Sequence, residues 1–236
     1  MTDGIVDLRG AVPASLPEAA RGARGLVLSE SELDELPAAV AELTQLRMLD
    51  VAHNRLAAVP AAIGALRELE VLYLGDNRLS AVPEAVRSLT GLTYLGCDAN
   101  RLETLPEWIG ELERLIELRL QHNRIGRLPP AIGRLGALRA LHLRDNRLKA
   151  LPADLGGLSS LRHLDVRANG LRTLPDELGT LARLRVLDVR ANELTALPAS
   201  LAGLRDLEKL DLRWNPLASK PRVAAALEAR GCFVLW

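Results

Sequence analysis

The clearest candidates for chemistry in this chain are two histidines and an aspartate. His142 and His163 fall on adjacent predicted strands near Asp165, and two imidazoles with a carboxylate can ligate Zn²⁺ when they converge. A metal-dependent enzyme is therefore one alternative. However, the three residues differ in register within the repeat that organises the chain, and the sequence has no glycine-rich phosphate loop and no nucleophile elbow. We therefore predict no enzyme, no metal and no cofactor.

Cysteine usage and charge narrow the class of protein further. Cys97 and Cys232 lie far apart and at positions expected to be buried, so we predict two free thiols and a reducing compartment. The 30 basic residues balance the 30 acidic ones, and aromatic residues make up only 3% of the chain. This composition argues against a nucleic-acid or membrane partner. With no signal-peptide pattern and no apolar run long enough to span a bilayer, we expect a cytoplasmic protein.

A tandem repeat of 23 residues organises the sequence. The pattern that begins at Leu46 restarts at Leu69 and continues at the same interval to Leu207. Each unit has apolar residues at its fourth and sixth positions, Asn at the ninth and Leu or Ile at the eleventh. A fixed period of this length signals a solenoid. The Asn column is Asn54, Asn77, Asn100, Asn123, Asn146, Asn169, Asn192 and Asn215, and the Pro column is Pro37, Pro60, Pro83, Pro106, Pro129, Pro152, Pro175 and Pro198.

Each unit predicts one strand and one short helical turn. Apolar residues alternate with others around the fourth and sixth positions, which is the strand signal, and identical units stack their strands in parallel about 4.8 Å apart. The Asn amide can satisfy buried turn groups, the Pro suits the start of a helical turn, and recurrent glycines allow close packing of turns. The predicted fold class is thus an α/β solenoid.

We divide the chain into three predicted parts. Residues 1–22 form an N-terminal cap with a short strand at Ile5–Leu8, and residues 23–215 form an array of eight to nine repeats. Residues 216–236 form a C-terminal cap, with a helix over Arg222–Arg230 and a last strand over Cys232–Trp236. Such caps are expected because the end of a solenoid exposes apolar core.

Across their joins the units read L-x-x-L-x-x-L-x-L-x-x-N-x-L-x-x-L-P-x-x-I-G. This pattern resembles leucine-rich repeats over residues 23–215, and the 23-residue unit with LP and IG resembles the subclass found in Scribble, Erbin and Ras-pathway scaffold repeats. The resemblance implies a right-handed curved horseshoe with a parallel β-sheet on the concave face and short helical turns on the convex face. It also implies a non-catalytic scaffold in intracellular signalling that binds a protein partner on the concave face.

Specificity must lie in the columns that the repeat leaves variable. On the predicted concave face the N-terminal half is mildly apolar, with Met48 and Val71 beside two tyrosines, and the C-terminal half carries an acidic column beside a basic one. The predicted partner-binding residues are Tyr73, Tyr94, Arg119, His142, Arg144, His163, Asp165, Arg167, Asp188, Arg190, Asp211, Arg213 and Trp214.

Two interpretations of the charged columns stay open at this point. They form either a docking surface for a protein partner or a solvated lattice of ion pairs, each worth at most about 1 kcal/mol. Trp214 is either a binding anchor or a residue that packs on the C-terminal cap.

Two further features keep alternatives open. The arginines that follow the Asn column either bind an acidic segment or pair with carboxylates such as Glu103. Trp108, on an outer turn, is either a self-association contact or a packed residue. A homo-oligomeric structural protein is therefore the alternative to a monomeric binding module. The five arginines are Arg55, Arg78, Arg101, Arg124 and Arg147.

Overall fold

The computed structural model describes residues 4–10 and 16–236. Within them, eleven three-residue strands form one parallel sheet in which every strand pairs with its neighbours in chain order. This arrangement confirms the predicted parallel solenoid. The strands are β1 (Ile5–Asp7), β2 (Gly25–Val27), β3 (Met48–Asp50), β4 (Val71–Tyr73), β5 (Tyr94–Gly96), β6 (Glu117–Arg119), β7 (Ala140–His142), β8 (His163–Asp165), β9 (Val186–Asp188), β10 (Lys209–Asp211) and β11 (Phe233–Leu235).

Short 3-10 turns connect the strands on the other side of the solenoid. Each begins directly after a proline, whose carbonyl accepts a hydrogen bond from the backbone N–H three residues later, as from Ile63 to Pro60 at 3.1 Å. In the described residues the turns are Glu18–Gly22, Ala38–Glu42, Ala61–Ala65, Glu84–Ser88, Glu107–Glu111, Pro130–Arg134, Ala153–Gly157, Asp176–Thr180 and Ala199–Gly203.

Glycine at the fourth position of several turns has a steric reason. A Cβ on Gly110 would lie 2.4 Å from the carbonyl oxygen of Ala131, and one on Gly133 would lie 2.1 Å from that of Asp154. Neighbouring turns therefore approach backbone to backbone, and these sites cannot hold a side chain without displacing a neighbour.

The core is a continuous column of leucines between the sheet and the turns. Leu49, Leu72 and their equivalents at the fourth position are fully buried. The Asn column forms a second, polar spine beside it. Asn77 Nδ2 donates to the carbonyls of Val51 at 3.0 Å and Leu74 at 3.2 Å, while its Oδ1 accepts from the N–H of Leu56 at 2.9 Å. Each Asn thus joins its own turn to the preceding repeat, as its donor and acceptor capacity predicts.

The two ends of the sheet are occupied by β1 and β11. The strand predicted at Ile5–Leu8 is present as β1, and the predicted C-terminal helix spans Arg222–Glu228 as α1, with β11 pairing in parallel with β10. Residues 1–3 and 11–15 of the predicted N-terminal cap lie outside the described residues, and the three-part division of the chain stays a prediction. No helix among the described residues is long and apolar enough to cross a membrane.

Candidate protein-interaction surface

The solvent-facing side of the sheet is called the sheet face. Because the strands are in register, the residues of one predicted column lie side by side across it. Asp165 pairs with Asp188, and Asp188 pairs with Asp211, so the acidic column is contiguous. His142 is in register with Asp165, one strand before that column. Residues one repeat apart on this face are therefore direct neighbours.

Two tyrosines form the aromatic part of the sheet face. The ring centroids of Tyr73 and Tyr94 lie 4.7 Å apart, and the Arg119 guanidinium lies 5.7 Å from the centroid of the Tyr94 ring. Tyr94 can lean toward Tyr73 because the residue paired with Tyr73 is Gly96, where a Cβ would lie 3.1 Å from the Tyr94 ring. The glycine thus makes room for the aromatic pair, and both rings remain partly exposed.

The environment of the pair keeps Tyr94 neutral. Burial raises the pKa of its hydroxyl, and the nearby Arg119 charge offsets only part of that effect. Arg119 is itself held by Glu117, since its Nε donates to Oε1 at 2.6 Å. The cluster therefore presents an aromatic surface with a fixed cation at one side.

The two histidines considered as metal ligands in the enzyme alternative contact each other without forming a metal site. The rings of His142 and His163 lie edge to face with centroids 5.1 Å apart, and His142 Nε2 lies 3.6 Å from Glu117 Oε1. Among the described residues no group of three His, Cys, Asp or Glu side chains could hold a metal ion. His142, His163 and Asp165 therefore do not form the zinc site considered from the sequence. Burial, followed by the neighbouring His163, lowers the pKa of His142 to about 4.

The acidic and basic columns form a zigzag of ion pairs, which we call the Asp–Arg ladder. Arg190 reaches Asp188 Oδ2 at 3.0 Å in its own repeat and Asp211 Oδ2 at 3.7 Å in the next, and Arg167 reaches Asp165 and Asp188 at 3.5 Å each. The backbone N–H of each arginine also bonds its own repeat's aspartate at 3.2–3.3 Å. The ladder consists of Asp165, Arg167, Asp188, Arg190, Asp211 and Arg213.

Burial decides how the ladder differs from a solvated lattice. Asp188 is 8% exposed and Asp211 only 1% exposed, so the solvated interpretation is wrong for the carboxylates. Desolvation raises the pKa of Asp188. At Asp211 the same desolvation is outweighed by hydrogen bonds from Arg213, at 3.0 and 2.7 Å, and its pKa is lowered. The guanidinium groups are the partly exposed members of the ladder.

Arg144 stands in the basic column but outside the ladder. Its guanidinium contacts His122 Nε2, and His122 Nδ1 in turn lies 2.8 Å from Asp145 Oδ2. His53 makes the same 2.8 Å contact with Asp76. These histidines therefore pair with the aspartate of the following repeat, which was not predicted from the sequence.

The eighth column also has a backbone feature that sequence reasoning missed. Every residue of this column from Glu30 to Trp214 has a positive φ, between 49° and 59°. The left-handed region is enriched in Asp, Asn and His among residues other than glycine. The recurrence of Asp76, Asp145, His53 and His122 in this column was the signal that could have revealed it.

The tryptophans and the Asn-following arginines separate the alternatives left open above. Trp214 is 72% exposed, so its cap-packing interpretation is wrong, whereas Trp108 is buried and donates from Nε1 to Glu84 Oε2 at 2.6 Å. Trp108 is therefore a packed residue and not a self-association contact. Among the arginines, ion pairs join Arg55 to Glu32 at 3.1 Å and Arg78 to Asp34 at 3.9 Å. In the described residues none of the five pairs with Glu103, the predicted partner.

Comparison with known proteins places this geometry in a class. The family model described as a leucine-rich repeat region matches residues 83–168, and the model described as a leucine rich repeat matches residues 159–217. Together they match more than half of the chain, which belongs to the leucine-rich repeat family. Proteins of this family are typically non-enzymatic protein-interaction modules. The finer resemblance to the Scribble and Erbin subclass stays a prediction.

Solved structures support the same fold. An internalin from Listeria monocytogenes is 21% identical with a TM-score of 0.78, over 91% of this chain and 67% of that chain. The plant peptide hormone receptor RGFR1, solved in complex with RGF2, is 24% identical with a TM-score of 0.62, over 85% of this chain and 38% of that chain. No curated protein matches this sequence. At these identities the likeness establishes the fold alone.

Proposed function

We propose that this chain is a non-catalytic protein-interaction module whose sheet face binds a protein partner across the strands from Tyr73 to Trp214. Six strand spacings separate the strands that carry these residues, so the surface spans about 30 Å. That length suits a protein or peptide partner better than a small molecule, which binds in a concave pocket.

The observation that carries the proposal is the aromatic pair on the sheet face. Tyr73 and Tyr94 pack at a centroid distance of 4.7 Å, remain partly exposed, and have Arg119 alongside. Tyrosine and arginine are enriched among residues that dominate binding energy. The Tyr94 ring packs on the backbone of Gly96. The geometry of the tyrosine pair therefore exists before a partner binds, and little rotamer entropy is lost on binding.

The other predicted contact residues have different roles in this proposal. The carboxylates of the Asp–Arg ladder are paired within the chain, so a partner can contact only the exposed edges of Arg167, Arg190 and Arg213. Trp214, which is 72% exposed and lies 5.6 Å from the Arg213 guanidinium, provides an aromatic contact at the far end. His142 and Arg144 lie between the aromatic pair and the ladder, and His163 lies on β8, the first strand of the ladder.

We further propose that the chain acts in the cytoplasm as a signalling scaffold. Cys97 and Cys232 are both buried and unbridged, which suits a reducing compartment. Immunofluorescence of the endogenous protein tests this point separately from partner binding, and a signal confined to the cell surface or the medium would contradict it.

The binding proposal is tested by affinity capture with quantitative mass spectrometry. Tyr94→Ala should reduce recovery of the principal partner, and its measured affinity should fall about 30-fold, because an aromatic hot spot contributes about 2 kcal/mol. Arg134→Ala, on an outer turn remote from the sheet face, serves as the control. Unchanged affinity in the Tyr94 variant, with its fold intact by circular dichroism, would overturn the proposal.

A second measurement on the same variants tests the alternative of a homo-oligomer. Light scattering on the purified chain measures its mass as a function of concentration. If the captured partner is a second copy, Tyr94→Ala should convert a dimer to a monomer. A wild-type monomer at high concentration would count against the homo-oligomeric structural protein.

A further inference from the structure

A second surface lies at the edge of the sheet where the chain enters each strand. The residue directly before each strand of the array forms a row, and its backbone stays in register, since the Arg162 N–H donates to the Arg139 carbonyl at 2.8 Å and the Arg185 N–H to the Arg162 carbonyl at 2.9 Å. The row reads Arg24, Arg47, Glu70, Thr93, Ile116, Arg139, Arg162, Arg185 and Glu208. None of these residues belongs to the strands that form the sheet face.

The middle of this row opens into a groove of about 370 Å³, which we call the arginine groove. Ile116, an apolar side chain that is 38% exposed, lies on its wall. Glu113 is the single acidic residue of the lining. The four cationic residues that line it are Arg114, Arg139, Arg162 and Arg183.

The charges of the groove have no internal partner. Across residues 4–10 and 16–236, no ion pair or side-chain hydrogen bond involves any of its four arginines, and Glu113 reaches none of them. Two other arginines of the same row do have carboxylate partners: Arg47 pairs with Glu70 at 3.0 Å and Arg185 with Glu208 at 3.5 Å. The groove therefore brings four arginines without an ion-pair partner among the described residues to one site.

We propose that the arginine groove binds an acidic peptide segment of a partner protein, with an apolar side chain of that segment seated against Ile116. Guanidinium groups bind carboxylates through paired, charge-assisted hydrogen bonds. Arg139 and Arg162 lie on successive repeats about 4.8 Å apart, so neighbouring carboxylates can engage both and relieve the repulsion between them. Charge complementarity therefore selects the occupant.

Other polyanions fit the groove less well. Its lining contains no aromatic side chain on which a nucleic-acid base could stack, and the chain as a whole has no net positive charge to gather nucleic acid. The exposed Ile116 at the groove favours a ligand that carries both carboxylates and an apolar group, which a peptide does.

This inference is separate from the binding proposed for the sheet face, because none of the groove residues belongs to that surface. Loss of partner binding in a Tyr94 variant would not contradict the groove proposal, and loss of peptide binding in a groove variant would not contradict the sheet-face proposal. One partner could use both surfaces, in which case the two sets of substitutions would have additive effects on its affinity.

The test uses a fluorescein-labelled peptide of alternating glutamate and alanine around a central leucine, followed by fluorescence anisotropy at about 0.15 M ionic strength. The wild-type chain should bind this peptide and not the same peptide with glutamine in place of glutamate. The double variant Arg139→Glu with Arg162→Glu should bind it at least about tenfold more weakly, and it should bind a lysine version of the peptide better than the wild type does.

The matched control is Arg124→Glu with Arg147→Glu. These two exposed arginines follow the Asn column and do not line the groove. Replacing them by glutamate changes the net charge by the same amount as the groove variant does. The control should keep the peptide affinity within about twofold of wild type. Equal weakening in both double variants, equal binding of the glutamine peptide, or no binding of the glutamate peptide by the wild type would each overturn the proposal. If the reversed variant unfolds, Arg139→Gln with Arg162→Gln is measured in its place.

Discussion

The Asp–Arg ladder and the arginine groove use the same side chain in opposite ways. In the ladder Arg190 lies between two buried carboxylates, at 3.0 Å from Asp188 and 3.7 Å from Asp211. In the groove Arg162 and Arg139 stand on successive repeats, and neither has a carboxylate partner among the described residues. Both arrangements repeat at the 23-residue period, but the arginines occupy different columns: Arg190 stands at the seventh position of its unit and Arg162 at the second.

The difference lies in which column faces the arginine. An arginine two positions after an aspartate on the sheet face lies beside a buried carboxylate, and the backbone N–H of that arginine already donates a hydrogen bond to the carboxylate. The residues just before the strands of the groove lie instead among alanine, serine and further arginines. Glu113 is the single carboxylate of the lining, and among the described residues it pairs with none of these arginines. An arginine whose partner is internal contributes to stability, and one without a partner is available to a ligand.

The largest expected effect tests this contrast with one chemical change made in both places. Arg190→Met removes the cation between two buried carboxylates and should reduce the free energy of unfolding by about 2–4 kcal/mol. Arg162→Met, in the groove, should change it by no more than about 0.5 kcal/mol. Urea unfolding followed by circular dichroism measures both.

The comparison fails if the two variants are equally stable. That result would mean that the Asp–Arg ladder contributes no more than an exposed ion pair. A stabilised Arg162 variant would instead strengthen the contrast, because it would show that the groove carries uncompensated repulsion.

A second, smaller effect concerns the strand before the ladder, where the column that holds Asp165 carries His142. The pKa of His142 is lowered to about 4, by burial first and by His163 second. In the unfolded chain the imidazole binds a proton below about pH 6.5, whereas the folded chain does so only near pH 4. Stability should therefore fall as the pH drops from 6.5 to 4, by about 2–3 kcal/mol from this group.

The measurement compares the wild type with His142→Gln. Unfolding free energies at several pH values between 7.5 and 4 should converge as the pH falls, because the variant lacks the histidine contribution. Parallel curves for the two proteins would show that His142 titrates at its ordinary pKa in the folded state. The ladder would then have a charged neighbour at pH values below about 6.5.

The smallest effect is the response of the two regions to salt. Added salt screens exposed like charges more than buried pairs. Raising the ionic strength from about 0.05 to 0.5 M should therefore stabilise the wild type relative to Arg139→Gln with Arg162→Gln by about 0.5 kcal/mol. Thermal unfolding at both ionic strengths gives this difference, and an identical salt response in the two proteins would show that the groove arginines do not repel one another measurably.

Much of the fold could be predicted from the repeat because the repeated residues are those that the core requires. The strands, the Asn contacts and the proline-initiated turns follow from the buried leucines, from the hydrogen-bonding capacity of Asn and from the fixed φ of Pro. Periodicity also predicted which residues form rows on the sheet face. It could not predict the burial of Asp188 and Asp211, because burial there depends on the arginines of two successive repeats covering each carboxylate.

The candidate sites were less predictable because they depend on local departures from the repeat. Tyr94 reaches Tyr73 only because Gly96 leaves space beside it, and the sequence alone did not relate these three residues. The sequence analysis did not predict the arginine groove, because the columns of the predicted sheet face do not include the residue that precedes each strand. Its signal was the run of Arg139, Arg162 and Arg185 at that position.

The left-handed residues of the eighth column have a consequence for how the array assembles. The N–H of Asp76 donates to the carbonyl of Asp98 at 2.9 Å, and that of Ala99 to Gln121 at 2.9 Å, so the positive φ values of this column from Glu30 to Ala191 are each accompanied by a bond to the following repeat. Within the array each turn is therefore supported by its neighbour, whereas Trp214 at the end keeps the same conformation without such a bond in the described part of the chain. Conformation, as well as burial, passes along the stack from one repeat to the next.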